Sequence, residues 1–188
     1  MSEVNNQISG AQVLYGYLRA RTIDSKVTAR KNMIMHVPEG LTKEELVELL
    51  DRIGTEEVPE ELKAITCFKG RKDTYYYEST LMTSQYAELD AMIQEKDILH
   101  TIATVTRSDC QLYPCPTLFK KLHDYPFFMS MDEIEGAAAR FTLDPEYQDI
   151  KVVIASNKGK GFYSTKYMNE RYAQYLVEYY EVGCRENQ

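Results

Sequence analysis

The sequence matches itself when it is shifted by 86 residues. Residues 59–95 then lie over residues 145–181 without a gap, and eight of the 37 aligned positions are identical. A self-match of this length predicts two related structural units rather than one larger domain. We therefore predict an internal duplication, with one unit at residues 8–95 and a second at residues 96–183. A unit of about 90 residues is long enough to form a small hydrophobic core.

A short amphipathic helix is predicted just before each half of this match. The segment TKEEL, which begins at Thr42, aligns with SMDEI, which begins at Ser130, when the shift is 88. Apolar residues recur at i, i+3, i+4 and i+7 from Leu46 and from Ile134, which is the spacing of a helix with one buried face. Each segment starts with a hydroxyl residue followed three positions later by glutamate, the pattern of a capping box.

A β-hairpin is predicted after each of these helices, because β-branched and aromatic runs flank a five-residue loop that contains Gly and Lys. In the first unit the strands and loop are LKAITCF (62–68), KGRKD (69–73) and TYYYES (74–79). In the second unit they are IKVVIAS (150–156), NKGKG (157–161) and FYST (162–165). A closing helix follows each hairpin, and in the first unit the apolar spacing predicts that it continues as far as Val105.

Two further helical stretches precede these elements in each unit. They lie at residues 11–23 and 23–32, and at 98–109 and 117–123, where Pro116 suits the start of a helix. Each unit then has the order helix, short helix, helix, hairpin, helix. This gives an α+β fold class with a helix-rich half and a hairpin in each unit.

That order resembles the winged-helix fold, in which a helix-turn-helix is followed by a β-hairpin called the wing. The segments that carry the resemblance are TKEELVELLDRI with LKAITCFKGRKDTYYYES, and SMDEIEGAAARF with IKVVIASNKGKGFYST. The resemblance covers nearly the whole chain and implies a tandem pair of winged-helix-like units. A tandem α+β fold of another topology is the alternative. The chain also resembles, without any shared motif, the small accessory proteins that accompany anaerobic oxidoreductase systems.

The charge balance disfavours nucleic acid as a partner. The chain has 22 basic and 29 acidic residues, for a net charge of −7, and neither half is basic. Binding to nucleic acid depends on the neutralisation of phosphates by Lys and Arg. A winged-helix protein of the usual kind places its third helix in the major groove. Here these helices open with Glu44 and Glu45, and with Asp132 and Glu133, which would repel phosphate.

The hairpin loops are the exception to this acidic character. Five basic residues lie in or beside them, and they are the candidate wing contacts: Lys69, Arg71, Lys72, Lys158 and Lys160. They could contact a phosphate backbone, which makes a dimeric DNA-binding regulator the alternative function. Solvated lysines that protect a strand edge are the simpler interpretation, and we favour it.

Aromatic usage suggests a different role. The chain has 15 tyrosines and no tryptophan. Tyrosine buries a ring while its hydroxyl stays hydrated, so it is enriched at protein interfaces. The candidate interface residues lie on the predicted hairpin and on the last helix: Tyr75, Tyr77, Tyr172, Tyr175 and Tyr179. We therefore expect a non-enzymatic protein that acts through protein–protein contacts, with a different protein or a second copy of itself. A partly exposed edge of a small core is the alternative interpretation of these rings.

The four cysteines are expected to be reduced thiols in the cytoplasm, because no signal peptide or apolar membrane segment is present. Cys110 and Cys115 are separated by four residues, which is a weak metal pattern, so we expect no metal and no cofactor. An accessory protein of an oxidoreductase system that uses these two cysteines is the third functional alternative. No motif predicts catalysis, so we expect no enzyme activity.

Overall fold

The computed structural model describes residues 9–183, which form an α+β fold with two three-stranded antiparallel sheets. The chain separates into two compact units between Glu95 and Lys96. Unit 1 is the part before this boundary and unit 2 is the part after it. Each unit has its own sheet and its own set of helices.

Unit 1 contains four helices and three strands among its described residues. In chain order they are α1 (Gly10–Ile23), β1 (Thr28–Ala29), α2 (Arg30–Met35), α3 (Lys43–Arg52), β2 (Ile65–Lys69), β3 (Thr74–Glu78) and α4 (Ser84–Glu95). A 3-10 turn at Glu60–Leu62 precedes β2. The strand order is β1-β3-β2, and all pairs are antiparallel.

Unit 2 repeats this order. Its elements are α5 (Ile98–Leu112), β4 (Thr117–Leu118), α6 (Phe119–His123), α7 (Met131–Phe141), β5 (Ile150–Ile154), β6 (Lys160–Ser164) and α8 (Glu170–Glu178). A 3-10 turn at Pro145–Tyr147 precedes β5, and a π-helical turn at Tyr179–Gly183 follows α8. The strand order is β4-β6-β5, the same as in unit 1.

The central strand of the unit 1 sheet shows how each sheet is buried between helices. Successive side chains of a strand point to opposite faces. Tyr76 packs with Leu14 of α1 and Leu46 of α3 on one face. Tyr75 and Tyr77 pack on the other face against apolar residues that include those of α4. The sheet is therefore covered on both faces, which explains three consecutive buried tyrosines in a single strand.

The predicted helices α3 and α7 are confirmed, including their capping boxes. Thr42 and Ser130 accept hydrogen bonds from the backbone N–H of Glu45 and Glu133, and both glutamates bond back to the N-cap backbone. These hydrogen bonds fix the start of both helices at equivalent positions.

The prediction that the closing helix of unit 1 continues to Val105 is wrong. Helix α4 ends at Glu95, and Lys96 adopts a left-handed conformation with φ of 52°. Asp97 then caps a new helix, because its side chain accepts a hydrogen bond from the backbone N–H of His100. Helices α4 and α5 each have apolar residues at helical spacing on a buried face. In the sequence, the two patterns therefore looked like one continuous helix.

The predicted helical stretches at 23–32 and 117–123 each contain a two-residue strand, at Thr28–Ala29 and at Thr117–Leu118, directly before a short helix. Thr28 pairs with Tyr76, and Thr117 pairs with Phe162, before helices α2 and α6 start. Pro116 therefore precedes a strand rather than a helix. Two residues are too few to give a period of two, so no sequence pattern announced these strands.

The ungapped self-match is also wrong in one detail. The loop between β2 and β3 has four residues, 70–73, whereas the loop between β5 and β6 has five, 155–159. The second strands of the two hairpins are related by a shift of 86, but the first strands are related by a shift of 85. Lys69 and Lys160 lie within strands, not in the loops where they were predicted.

Candidate interaction surfaces

The basic residues predicted to contact a partner through the hairpins are only partly available. In unit 1, Lys69 and Arg71 are exposed, but Lys72 is held by Glu95. The backbone N–H of Lys72 donates to Glu95 Oε1 at 2.8 Å, and its ammonium donates to the Glu95 carbonyl. In unit 2, Lys160 Nζ lies 2.5 Å from Glu135 Oε1. Lys158 is exposed at the tip of the loop.

The exposed side of α3 is strongly acidic. Arg30 pairs with Asp51 at 2.6 Å, and Arg52 pairs with Glu48 within the helix. The hydrogen bonds from Thr42 hold the pKa of the Glu45 carboxyl below its usual value. In α7 the hydrogen bonds from Ser130 lower the pKa of Glu133 in the same way, so both helices begin with ionised carboxylates.

Tyr75 and Tyr77, two of the predicted interface residues, are buried, and their assignment to an interface is wrong. Their exposed fractions are 3% and 4%. The Tyr75 hydroxyl donates to Glu95 Oε1 at 3.2 Å, and burial raises the pKa of that hydroxyl. Both rings belong to the core of unit 1. They point to the face of the sheet that α4 covers, and a sheet that is covered on both faces buries the side chains on each face.

The other three predicted interface residues are exposed on one side of α8 and of the π-helical turn that continues it, to which Tyr179 belongs. Tyr172, Tyr175 and Tyr179 have exposed fractions of 44%, 64% and 48%. They follow the spacing i, i+3 and i+7, so they share one helix face. The opposite face of α8 is buried through Ala173 and Val177. We call Tyr172, Tyr175 and Tyr179 the α8 tyrosine face.

A second aromatic pair, which the sequence did not single out, lies in the loop between α6 and α7. The rings of Tyr125 and Phe128 are 5.9 Å apart in an edge-to-face arrangement, and both side chains are about two-thirds exposed. Asp124 O accepts hydrogen bonds from the backbone N–H of Phe128 and of its preceding residue. His123 Nδ1 donates to Met129 O at 2.9 Å, which ties the loop to α6. The loop therefore presents its rings from a hydrogen-bonded backbone.

A groove of about 240 Å³ in unit 2 is lined in part by His123 and Met131, the residues on either side of this loop. Its apolar lining comes from Phe119 of α6 and Met131 of α7. Its polar lining comes from side chains of α6, α7, the hairpin and the turn after α8: Lys120, His123, Glu135, Lys158, Lys160 and Glu181. We call this the unit 2 groove.

Two ion pairs bridge elements that line the unit 2 groove. Lys120 Nζ lies 2.9 Å from Glu181 Oε1, and Lys160 pairs with Glu135. Lys160 Nζ also lies 5.8 Å from the centre of the Phe119 ring, a cation–π contact. Lys158 adds a further positive charge at the rim. The groove thus combines an apolar base with more cationic than anionic side chains.

At one end of each sheet, a buried carboxylate pairs with an arginine of the first helix of the unit. In unit 1, Arg19 pairs with Glu78 at 3.0 Å. In unit 2, Arg107 makes two hydrogen bonds to Asp149, which also accepts from Ser164 Oγ at 2.7 Å. Together with the ammonium of a nearby lysine, these partners hold the pKa of the Asp149 carboxyl far below its usual value, although burial alone would raise it.

The three described cysteines are wholly or partly buried. Ser164 N donates to Cys110 Sγ at 3.4 Å, and Cys110 Sγ donates to Cys115 O at 3.6 Å. Burial raises the pKa of both thiols, which disfavours the reactive thiolate. Cys67 is half-buried with a raised pKa for the same reason. Cys184 lies outside the described residues.

Within residues 9–183, His, Cys, Asp and Glu side chains form no cluster of three or more that could bind a metal ion. None of the helices in this part of the chain is both long and apolar enough to span a bilayer.

Comparison with known proteins identifies the family. Residues 96–185, which include all of the described part of unit 2, match the family described as the YdhW C-terminal domain. A protein of Escherichia coli (strain K12), named Uncharacterized protein YdhW, is 31% identical over 177 residues, which cover 94% of this chain and 80% of that protein. The chain belongs to the YdhW family. No solved structure is significantly similar to this member of the YdhW family.

Sequence reasoning found the α8 tyrosine face but missed the unit 2 groove and the aromatic loop. The groove brings together residues from four elements that are far apart in sequence, so no spacing could reveal it. One signal for the loop was available. The segment YPFF at 125–128 places three aromatic rings between two short helices, where exposure of at least some of them was to be expected.

Proposed function

We propose that this YdhW-family protein is a non-enzymatic, cytoplasmic interaction module made of two duplicated winged-helix-like units, in which unit 2 carries the main protein-binding surface. One observation carries this proposal: the exposed large apolar side chains concentrate on unit 2. Among residues 9–183, twelve such side chains lie in unit 2, whereas unit 1 has three: Ile23, Met35 and Leu81. Contiguous exposed apolar surface marks interaction sites, and the α8 tyrosine face contributes three neighbouring rings to this set.

The winged-helix part of the proposal is supported by the topology of both units. Each has helix, short strand, two helices and a hairpin in that order, and in each the first short strand pairs with the second hairpin strand. The repeated element order and the identical strand order also support a common origin of the two units by duplication.

The α8 tyrosine face has the composition of a binding surface. Its three rings are each between about two-fifths and two-thirds exposed, and they are rigidly mounted on a helix whose other side is buried. Tyrosine supplies large contact area with few rotatable bonds, so little conformational entropy is lost on binding. A different protein or a second copy of this chain would each bury these rings.

The alternative of DNA binding is less well supported. The Lys72 ammonium donates to the backbone carbonyl of Glu95, and the Lys160 ammonium pairs with the Glu135 carboxylate, which it would have to leave to reach a phosphate. Helices α3 and α7, which would enter the major groove, start with ionised carboxylates. Both features oppose phosphate approach.

The alternative of a redox accessory protein that uses Cys110 and Cys115 also has weak support. Burial raises the pKa of both thiols, so the fraction present as thiolate at neutral pH is small.

An affinity capture with the full chain tests the proposed function. The test variant carries Tyr172→Ser, Tyr175→Ser and Tyr179→Ser, and the matched control carries Ile23→Ser, Met35→Ser and Leu81→Ser in unit 1. Three exposed apolar side chains are removed in each case. We expect the test variant to lose the partners, or the self-association, that the wild type and the control retain, as measured by quantitative mass spectrometry and light scattering. Equal retention by both variants would reject the α8 tyrosine face.

A further inference from the structure

We propose that the unit 2 groove and the adjoining loop of Tyr125 and Phe128 form a second binding site, which takes an acidic peptide segment with an aromatic or aliphatic anchor residue. This goes beyond the proposed function, because the residues that argue for it are separate from the α8 tyrosine face. The occupant is a segment of a protein, recognised by carboxylates next to one apolar side chain.

The shape of the site sets the size of its occupant. A groove of about 240 Å³ accepts one large side chain rather than a folded element. Phe119 and Met131 provide an apolar surface for that side chain, and Met131 is 44% exposed. A thioether and an aromatic ring adapt well to anchors of different shape.

The charge of the groove selects for carboxylates. Its rim carries Lys120, Lys158 and Lys160 against two glutamates, in a chain whose overall charge is −7. Lys120 and Lys160 bridge to these glutamates, so both ammonium groups are held at fixed positions. Each ammonium has three donors and can bond an incoming carboxylate while it keeps its own partner. Lys158 is exposed beside them and adds the excess positive charge.

Backbone strain at Phe128 is the strongest pointer to a ligand. Phe128 adopts the left-handed conformation, with φ of 49°, and its ring is 71% exposed. A bulky residue in this conformation is strained, and the exposed ring gains little from burial that would compensate. Strain of this type concentrates at functional sites.

Unit 1 has a glycine at the position that Phe128 occupies in unit 2. The shift of 88 that aligns α3 with α7 places Gly40 opposite Phe128, and Gly40 has φ of 92°. Glycine adopts this conformation without steric cost. Unit 1 therefore has the unstrained residue where unit 2 presents an aromatic ring. Helices α2 and α6 are related by a shift of 89, because Thr28 and Thr117 pair with the equivalent residues Tyr76 and Phe162. Lys31 of α2 bonds directly to the hairpin loop, through Lys72 O at 3.1 Å, whereas the matching Lys120 lines the groove.

The substitution Phe128→Gly separates a binding role from a structural one. It removes the ring and restores the unit 1 residue, so the melting temperature should stay the same or rise. Peptide binding should fall, because the aromatic contact is lost. A ring that served only the fold would give the opposite pair of results. Lys158→Glu tests the charge, and Lys151→Glu, an exposed lysine of β5 that does not line the groove, is its matched control.

The experiment uses a random dodecapeptide display library selected against the full chain, followed by fluorescence anisotropy with the enriched peptides. We expect enrichment of Asp and Glu around one aromatic or aliphatic residue. Affinity should fall about tenfold or more in Phe128→Gly and in Lys158→Glu, and stay within about twofold in Lys151→Glu.

Three results would overturn the site. They are enriched peptides without an acidic preference, equal binding by Phe128→Gly and the wild type, and competition by mixed duplex DNA that Lys158→Glu abolishes, which would assign the groove to phosphate. The variant of the α8 tyrosine face distinguishes this proposal from the previous one. If that variant keeps its protein partners while the groove variants lose the peptides, the groove stands and the α8 tyrosine face is rejected as the main binding surface.

Discussion

The two units of this chain have the same element order and the same strand order, but they differ in what they expose. At three matched positions unit 1 has Gly40, Tyr75 and Lys31, and unit 2 has Phe128, Gly161 and Lys120. In unit 1 the tyrosine is buried against α4 and the lysine closes onto the hairpin. In unit 2 a glycine stands at the tyrosine position, Phe128 is exposed in a surface loop, and a groove lies beside Lys120.

This contrast teaches that two units can share a fold while they expose different side chains. The buried contacts that define the fold recur: the capping boxes of α3 and α7, the arginine of the first helix paired with a buried carboxylate, and the alanine pair Ala87 and Ala173. The number of exposed large apolar side chains differs: among residues 9–183, three lie in unit 1 and twelve in unit 2. We infer that unit 1 conserves the scaffold and that unit 2 carries the binding surfaces.

The largest predicted effect concerns the ion pair of unit 2. Asp149→Ala should destabilise unit 2 by about 3 kcal/mol, because Arg107 and Ser164 lose a partner that is 7% exposed. In unit 1 the carboxylate that pairs with the first-helix arginine is Glu78, which lies on the second hairpin strand. Glu78→Ala should cost less, because Arg19 is 45% exposed and can be hydrated. Hydrogen–deuterium exchange in urea, resolved by peptides of each unit, measures both. A larger loss in unit 1 would contradict the geometry of the two pairs.

The same carboxylate predicts a pH dependence. The pKa of Asp149 is lowered in the folded state, so its stabilising effect is complete above the unfolded-state pKa of about 3.9 and is lost as the pH falls below it. Between about pH 5 and pH 2, wild-type unit 2 should lose stability more steeply than the Asp149→Asn variant. Parallel slopes for the two proteins would show that Asp149 is not held ionised by Arg107.

A smaller effect is expected at Gly161, which occupies the position in unit 2 that Tyr75 occupies in unit 1. A Cβ at Gly161 would lie 2.8 Å from Val177 Cγ2 of α8, closer than packing allows. Gly161→Ala should therefore destabilise unit 2 by about 1–3 kcal/mol. Retained stability would mean that α8 can move away from β6. Chemical denaturation, followed by circular dichroism and by exchange in unit 2 peptides, gives the value.

The smallest effects should be alike in the two units. Gly16 in α1 and Gly136 in α7 are within helices, and a Cβ added at either position meets nothing within 4 Å. Gly16→Ala and Gly136→Ala should each stabilise their unit by about 0.5–1 kcal/mol, because alanine loses less backbone entropy in a helix. These substitutions serve as controls for Gly161→Ala. Destabilisation by either one would indicate that its helix is packed differently from the described structure.

Much of the fold was predictable from sequence. Helices α3 and α7 were announced by Thr42 and Ser130 with their capping glutamates, and the hairpins by β-branched runs around Gly and Lys. The two-residue strands β1 and β4 could not be predicted. They are defined by their pairing with β3 and β6, and no local sequence pattern marks them. The break between α4 and α5 was not predicted, because it occurs at Lys96 in a left-handed conformation. Lysine, unlike glycine, does not signal that conformation in a sequence.

The candidate surfaces were only partly predictable. The helical spacing of Tyr172, Tyr175 and Tyr179 placed them on one face, and burial of the other face of α8 explains their exposure. The expectation that tyrosines lie at an interface failed for Tyr75 and Tyr77. Helices cover both faces of this sheet, so the tyrosines of the central strand are all buried, whichever face each points to. The groove depends on distances between α6, α7 and the second hairpin, which only the folded chain supplies.

The central claim is that unit 2 carries the binding surfaces, and a protection footprint tests it most directly. Hydrogen–deuterium exchange of the full chain is compared with and without the protein partner recovered by affinity capture, or at high and low concentration if the chain self-associates. We predict protection in the peptides that cover α8 and the α6–α7 loop, with unit 1 unchanged. Protection confined to α3 and the first hairpin would contradict the claim and assign binding to unit 1.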